Sequence, residues 1–168
     1  DRLAVASDEV LRLVVDLESG QRAFALTGDP RFLAPHDAAS AQLPVALDRL
    51  RSSAAGFAGA ADLVARIQGA VDRWHREADP VLGLARESAT FPERLDQARA
   101  YVLAGRGKAI IDGVRVDVAA LREIERSLTL RALTGLDANR DRLQTGLLIT
   151  AVLASLVAFG AGLVVAQR

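Results

Sequence analysis

Residues 105–108 read Gly-Arg-Gly-Lys, which resembles the end of a phosphate-binding loop. Such a loop needs a further glycine five positions before its Gly-Lys pair and a serine or threonine directly after it, and it follows a strand. Here Val102 and Ala109 occupy those two positions, and no strand pattern precedes them. We therefore predict that these glycines kink or interrupt a helix and that the segment binds no nucleotide.

His75 and Asp79 are four residues apart, so a helix would place both on one face, as in a metal-binding pair. The only other histidine, His36, lies in a separate segment, and the chain has no cysteine. It also has no Glu-x-x-His pair of the kind that builds a carboxylate-bridged metal centre in a bundle. We expect no metal and no cofactor, and polar side chains exposed beside Trp74.

Catalytic residues are not expected either. No Ser-His-Asp arrangement has a recognisable spacing, and the paired carboxylates at Asp8-Glu9 and Glu123-x-Glu125 are typical of solvated helix faces. Any catalytic domain would lie outside this chain.

Glu18, Gln21 and Arg22 lie within one helical turn, and Asp29 follows in the turn after that helix. Two interpretations remain open. In the structural one, these side chains fix Arg22 against a neighbouring helix or cap the turn at Gly28-Asp29 through charge-assisted hydrogen bonds. In the functional one, the four residues form a polar patch that binds a small ligand or a partner.

Two further carboxylates, Glu77 and Glu125, fall on apolar seams. A buried, unpaired charge is costly, so we expect each to pair with an arginine or to lie at a seam edge.

The composition favours packed helices. The apolar residues are mostly alanine, leucine and valine, and only 4% of residues are aromatic. The 21 basic and 21 acidic residues cancel, which argues against a nucleic-acid partner because such a partner needs a basic face.

Apolar residues recur at alternating spacings of three and four, the pattern of helices that pack along narrow seams. Breaks in this pattern fall at Gly28-Asp29-Pro30, at Gly56 and Gly59, at 88–92 and at 105–107. Pro80 should bend its helix, and Pro44 should either kink its helix or mark the first turn. The main seam residues are Leu3, Val10, Leu17 and Phe24; Leu43, Leu47 and Leu50; Leu63, Ile67, Ala70 and Trp74; and Ile111, Val114, Val118 and Leu121.

The fold class predicted from these seams is all-α. We expect an antiparallel four-helix bundle over residues 1–144, with a short amphipathic helix at 92–103. The last long helix should run from Lys108 onward and continue into a transmembrane helix.

Residues 145–166 form a stretch of 22 residues without charge. As a helix it would be roughly 33 Å long, enough to cross a hydrocarbon core of about 30 Å. We predict a transmembrane helix here, with 167–168 as the start of a cytoplasmic region. Because Arg140 and Arg142 precede the span and Arg168 follows it, the positive-inside rule does not decide its orientation. The up-and-down order makes a membrane helix before Asp1 a natural expectation.

Two segments resemble the CHASE class three family of extracellular sensory domains, and we call them the first and second motif. The first motif, ESGQRAFALTGDPRFL at 18–33, is similar to the pattern E-T-G-Q-R-G-Y-L-L-T-G-D-P-x-Y-L, with mild departures at Ser19, Ala23, Phe24, Ala25 and Phe32. The second motif, GRGKAIIDGVR at 105–115, is similar to G-x-G-K-x-x-M-D-x-I-R, with Ile111 in place of methionine. The resemblance covers roughly residues 1–140, and the two motifs follow one another in the same order as in the family.

The resemblance implies a sensory module of a bacterial receptor such as a histidine kinase, a diguanylate cyclase or a chemotaxis-type receptor. Residues 1–144 would lie outside the cytoplasmic membrane, the receptor would form a homodimer, and the stimulus would be a small molecule or a protein. The resemblance carries no binding or catalytic residue with it. The alternative is a structural or adaptor membrane protein without a sensory role, which would have no output domain after Arg168.

Overall fold

The computed structural model describes residues 2–131, and every regular element in that range is helical. The elements are α1 (Arg2–Thr27), a short 3-10 helix (Pro30–Phe32), α2 (Leu33–Ala54), α3 (Ala60–Glu87) and α4 (Glu93–Leu103). A fifth helix, α5, is helical from residue 106 to residue 131. The all-helical prediction is therefore confirmed over the described residues.

Residues 1–125 form one compact unit, and residues 126–168 cluster as a second one, of which 126–131 are described and helical. No helix within residues 2–131 combines the length and the apolar character that a membrane crossing requires. The predicted span at 145–166 lies outside the described residues.

Helix α1 of the first unit runs antiparallel to α2 and to α5. Near one end of α1, Arg49 of α2 donates hydrogen bonds to Glu9, whereas near the other end Gly20 lies against His36. Helix α5 has the same direction relative to α1, because Arg122 forms an ion pair with Asp8 near one end of α1, whereas Lys108 lines one cavity with Gln21 near the other end. These pairs confirm a helical bundle in which α1, α2, α3 and α5 are the long helices and α4 is a short addition.

The predicted seams form the core. The main cluster takes residues from all four long helices, and its largest fully buried side chains include Trp74, Leu3, Leu13, Leu17, Leu43, Leu50, Ile67, Ile111 and Leu121. A second, smaller cluster lies where α4 packs, and it consists of Phe24, Ala25, Val81, Leu82, Ala85 and Ala98. The seam positions were correct because a 3.6-residue period leaves only one stripe of each helix able to face its neighbours.

Helix α1 ends where Gly28 adopts a left-handed conformation, with φ of 74°. Its N–H donates to the carbonyl of Phe24 at 2.7 Å, which satisfies one of the last carbonyls of the helix. The structure decides between the two alternatives left open for Pro44. Helix α2 begins at Leu33, so Pro44 lies inside it rather than in its first turn, and Pro80 lies inside α3.

The second predicted seam carboxylate, Glu125, is buried and accepts a hydrogen bond from the backbone N–H of Ala4 at 2.9 Å. A backbone donor on another helix is a partner that the sequence did not indicate, because such a contact depends on how α1 and α5 are juxtaposed.

Candidate functional site

A cavity of about 180 Å³ opens near the end of the bundle where the main core gives way to the smaller cluster around α4. Four helices and the turn before α5 contribute to it. Its walls are formed by Glu18, Gln21 and Arg22 of α1; Trp74, Glu77 and Ala78 of α3; Tyr101, Val102 and Leu103 of α4; and Gly105, Gly107 and Lys108. The two motifs, whose cavity-lining residues are more than eighty positions apart in sequence, therefore line one cavity.

The α1 wall follows from helical spacing, because positions i, i+3 and i+4 lie on the same face. Arg22 lies 3.4 Å from Glu18, a long contact between an exposed guanidinium and a largely covered carboxylate. Such a pair contributes little to stability. The structural interpretation expected Arg22 to be fixed against a neighbouring helix. The structure instead pairs Arg22 with a residue of its own helix.

Gln21 is the most unusual residue of this wall. It is only 7% exposed. Its side-chain amide could donate two hydrogen bonds and accept two, yet it has no hydrogen-bond partner among residues 2–131. Buried amides are normally hydrogen-bonded, so this one lines the cavity with its bonding capacity unused.

Trp74 forms the floor of the cavity on α3 and is 2% exposed. Its ring lies 6.2 Å from the ring of buried His36 and makes an edge contact with His75 at 5.3 Å. Next to it is Gly107, where an added Cβ would lie 3.5 Å from the indole Nε1. Gly107 therefore leaves open the space in front of the indole N–H. Like the Gln21 amide, this N–H has no hydrogen-bond partner within the described chain.

Glu77 and Tyr101 also line the cavity, and Arg106 lies beside them. The Tyr101 hydroxyl donates to the Glu77 carboxylate, and the Arg106 guanidinium lies 4.7 Å above the phenol ring. Arg106 Nε is also 3.9 Å from Glu77, so the prediction that this seam carboxylate pairs with an arginine is confirmed. Burial, followed by the hydrogen bond to Glu77, raises the pKa of Tyr101 above its ordinary value.

We expect the Tyr101 phenol to titrate at higher pH in the folded chain than in the unfolded chain. The folded state holds this proton more tightly than the unfolded state does. The protonated phenol therefore contributes fully to the free energy of unfolding below the unfolded-state pKa of about 10, and this contribution is lost as pH rises through the raised pKa of the folded state. The chain has a single tyrosine, so ultraviolet titration of the phenolate reports on this group alone. Equal midpoints with and without urea would contradict this environment, and Tyr101→Phe provides the blank.

The second motif places Lys108 at the cavity rim but ties it to the helix surface. Lys108 and Arg115 both form ion pairs with Asp112, and the hydrogen bond from Lys108, more than that from Arg115, lowers the pKa of Asp112. Gly105 is left-handed, with φ of 72°, and makes the turn between α4 and α5. These glycines and this lysine therefore shape a helix junction, in agreement with the predicted interruption.

Asp29, the fourth candidate residue, does not join the cavity. It caps the 3-10 helix by accepting from the backbone N–H of Arg31 at 2.9 Å, and the hydrogen bond from the Arg31 side chain holds the pKa of Asp29 below its usual range. Nor do the cavity residues of α1 cap this turn. That role falls to Thr27, whose hydroxyl accepts from the Asp29 N–H, and to Arg99, which donates to the Leu26 carbonyl at 2.9 Å.

Metal binding finds no support within residues 2–131, where no group of three histidine, cysteine or carboxylate side chains converges. Asp79 is exposed, as predicted, whereas His75 is half-buried. His36 and His75 were treated as unrelated residues in the sequence, yet both contact Trp74.

Three cavity residues, Trp74, Glu77 and Tyr101, were not predicted as site residues. The only sequence signal for them was a carboxylate on the α3 seam one turn after the sole tryptophan.

The described residues thus form a helical bundle with a small, partly charged cavity beside a short added helix. The CHASE3 domain family matches residues 2–134, so this chain belongs to the CHASE3 family of sensor domains. A sensor domain is not a catalytic one. The resemblance seen in the two motifs is thereby confirmed.

Among solved structures, the bundle is similar to the sensor domain of the histidine kinase HK9 from Rhodopseudomonas palustris. The TM-score is 0.65 with 20% sequence identity, and the match covers 77% of this chain and 97% of that one. At this identity the likeness establishes the fold. No curated protein matches the sequence.

Proposed function

We propose that this chain is the extracytoplasmic sensory module of a bacterial membrane receptor, and that it passes a stimulus through a transmembrane helix at 145–166 to a cytoplasmic output domain such as a histidine kinase. The observation that carries the proposal is the meeting of both motifs at one cavity. A stimulus bound there contacts α1, α3, α4 and the start of α5 at once, so it can change how these helices pack.

The route of the signal follows from chain order. Helix α5 begins at the cavity rim, with Gly107 and Lys108, and its sequence leads toward the apolar stretch at 145–166. A small displacement of its first turn is therefore a suitable input for a helix shift, one of the common switching motions of receptors. The receptor acts as a homodimer in this proposal, and two bundles respond together.

Single-cysteine labelling of the full-length parent protein in intact cells tests the topology. The chain has no cysteine, so Ser40→Cys on the exposed face of α2 and Gln167→Cys beyond the apolar stretch provide unique probes. Native cysteines elsewhere in the parent are removed first, and any outer membrane is permeabilised.

With a membrane-impermeant maleimide, we expect labelling at residue 40 and none at residue 167 until the cells are lysed. Ser7→Cys, at a fully buried position, should stay unlabelled in both conditions while the bundle is folded and thus controls for unfolding. The reverse pattern, with residue 167 labelled from outside, would contradict the proposal and favour the adaptor alternative.

A further inference from the structure

We infer that the cavity binds a small zwitterion of the size of a small amino acid, with its ammonium group toward Glu18 and Glu77 and its carboxylate toward Arg22, Lys108 and the indole N–H of Trp74. This inference rests on the proposed sensory function and names the ligand class of the same site.

Unused hydrogen-bonding capacity is the first ground. Gln21 and Trp74 are both more than nine-tenths buried, and neither side chain has a hydrogen-bond partner among residues 2–131. Over the same range, no side-chain nitrogen or oxygen is both sealed from solvent and unpaired. The amide and the indole N–H are therefore reached through the cavity that both residues line. Buried polar groups kept in this way are expected to bond a ligand.

The charge of the lining is the second ground. The lining carries two carboxylates, Glu18 and Glu77, and two cations, Arg22 and Lys108. Lys108 also pairs with Asp112, and Glu77 accepts from Tyr101. A lining that carries both signs of charge is electrostatically complementary to a molecule with both charges rather than to an anion or a cation alone. The Glu18–Arg22 contact of 3.4 Å is loose enough to be exchanged for bonds to a ligand.

Size is the third ground. A single water molecule needs roughly 10–15 Å³ of cavity, so the volume of about 180 Å³ has room for a small molecule of several non-hydrogen atoms. The apolar part of the wall, Ala78 and Val102, suits a short aliphatic portion.

Isothermal titration calorimetry of the purified full chain tests the ligand class. The probes are alanine and serine, each compared with analogues that lack one charge: ethylamine and propionate for alanine, ethanolamine and 3-hydroxypropionate for serine. We expect at least one amino acid to bind with a Kd of about 1 mM or tighter, and its analogues to bind about tenfold more weakly or worse. An analogue that binds as tightly as its amino acid overturns the inference, and so does the absence of binding by both amino acids at about 10 mM.

Gln21→Met tests the site, because methionine keeps the length of the side chain and removes its hydrogen bonds. We expect about tenfold weaker binding together with an unchanged or higher denaturation midpoint, since an unpartnered amide is replaced by an apolar group. The matched control is Gln42→Met on the exposed face of α2. A lower midpoint with unchanged binding would show that the amide is structural and would overturn the inference.

Gly107→Ala tests the indole donor, because the added Cβ lies 3.5 Å from Trp74 Nε1 and narrows the approach to it. We expect weaker binding than in Gly113→Ala, whose Cβ meets no atom within 4 Å. Equal binding by the two variants counts against the site.

The two proposals can fail separately. If no amino acid binds while residue 40 is still labelled from outside, this inference is wrong and the sensory function stands. Labelling of residue 167 from outside would instead contradict the sensory function itself.

Discussion

Trp74→Ala is expected to lower the free energy of unfolding by about 3–5 kcal/mol, the usual cost of removing a fully buried large aromatic side chain. Trp74 is the largest fully buried side chain of the described bundle, and it joins α3 to His36 of α2 and to Gly107 of α5. Its loss opens the cavity into the main core. Because the substitution removes the only tryptophan, unfolding by urea should be followed by circular dichroism rather than by fluorescence.

The matched control for this prediction is His75→Ala, since His75 touches the same ring from a half-buried position. We expect it to cost about 1 kcal/mol or less. If the two variants unfold at the same urea concentration, Trp74 does not hold the helices together as described here.

Gly20→Ala should destabilise the bundle by about 1–3 kcal/mol, because there is no room for the extra methyl group. An added Cβ would lie 2.8 Å from the Cβ of His36 and 2.9 Å from the backbone carbonyl oxygen of Phe32. Neither atom is the end of a flexible side chain, so α1 and α2 would have to move apart. This close approach gives the glycine of the first motif a packing role.

The control for Gly20 is Gly83→Ala in α3, where the new Cβ meets nothing within 4 Å. Alanine is the better helix former, so this variant should be stabilised by about 0.5–1 kcal/mol. The same substitution in two helices of one bundle should thus have opposite signs in urea denaturation. Destabilisation of both variants, or of neither, would contradict the close approach of α1 and α2.

The helices and their buried faces were predictable from sequence because period and burial are linked. Val10 and Leu17 of α1 and Leu121 of α5 are buried as the seam pattern requires. The end of α1 was predicted as well, since Gly28 followed by Pro30 leaves few alternatives to a left-handed cap.

The cavity was predictable only in part. Sequence placed Glu18, Gln21 and Arg22 in one polar patch, but it did not indicate that Gln21 is buried and unpaired. That depends on α4 and on the turn at Gly105, which cover the end of α1 through contacts between residues far apart in sequence. The same tertiary packing decides that Asp29, although within the first motif, lies outside the cavity.

Trp74 and Tyr101 illustrate the same limit of prediction from sequence. The periodicity of α3 predicts that Trp74 is buried, but the neighbour that it faces depends on how α5 starts. A single tyrosine on a short amphipathic helix carries no periodic signal at all. Its partner Glu77 was identified only as a carboxylate whose burial on the seam would be costly. The Tyr101 phenol and the Arg106 guanidinium beside Glu77 offset that cost.

Hydrogen–deuterium exchange of the full chain, with and without a saturating concentration of the bound amino acid, tests most directly whether the two motifs form one input site. We expect 18–22 in α1 and 101–108 at the α4–α5 junction to gain protection together, because both line the cavity. The α2–α3 turn at 55–59 contributes nothing to the cavity and should exchange at an unchanged rate. Protection confined to one motif, or centred on the α2–α3 turn, would contradict the account.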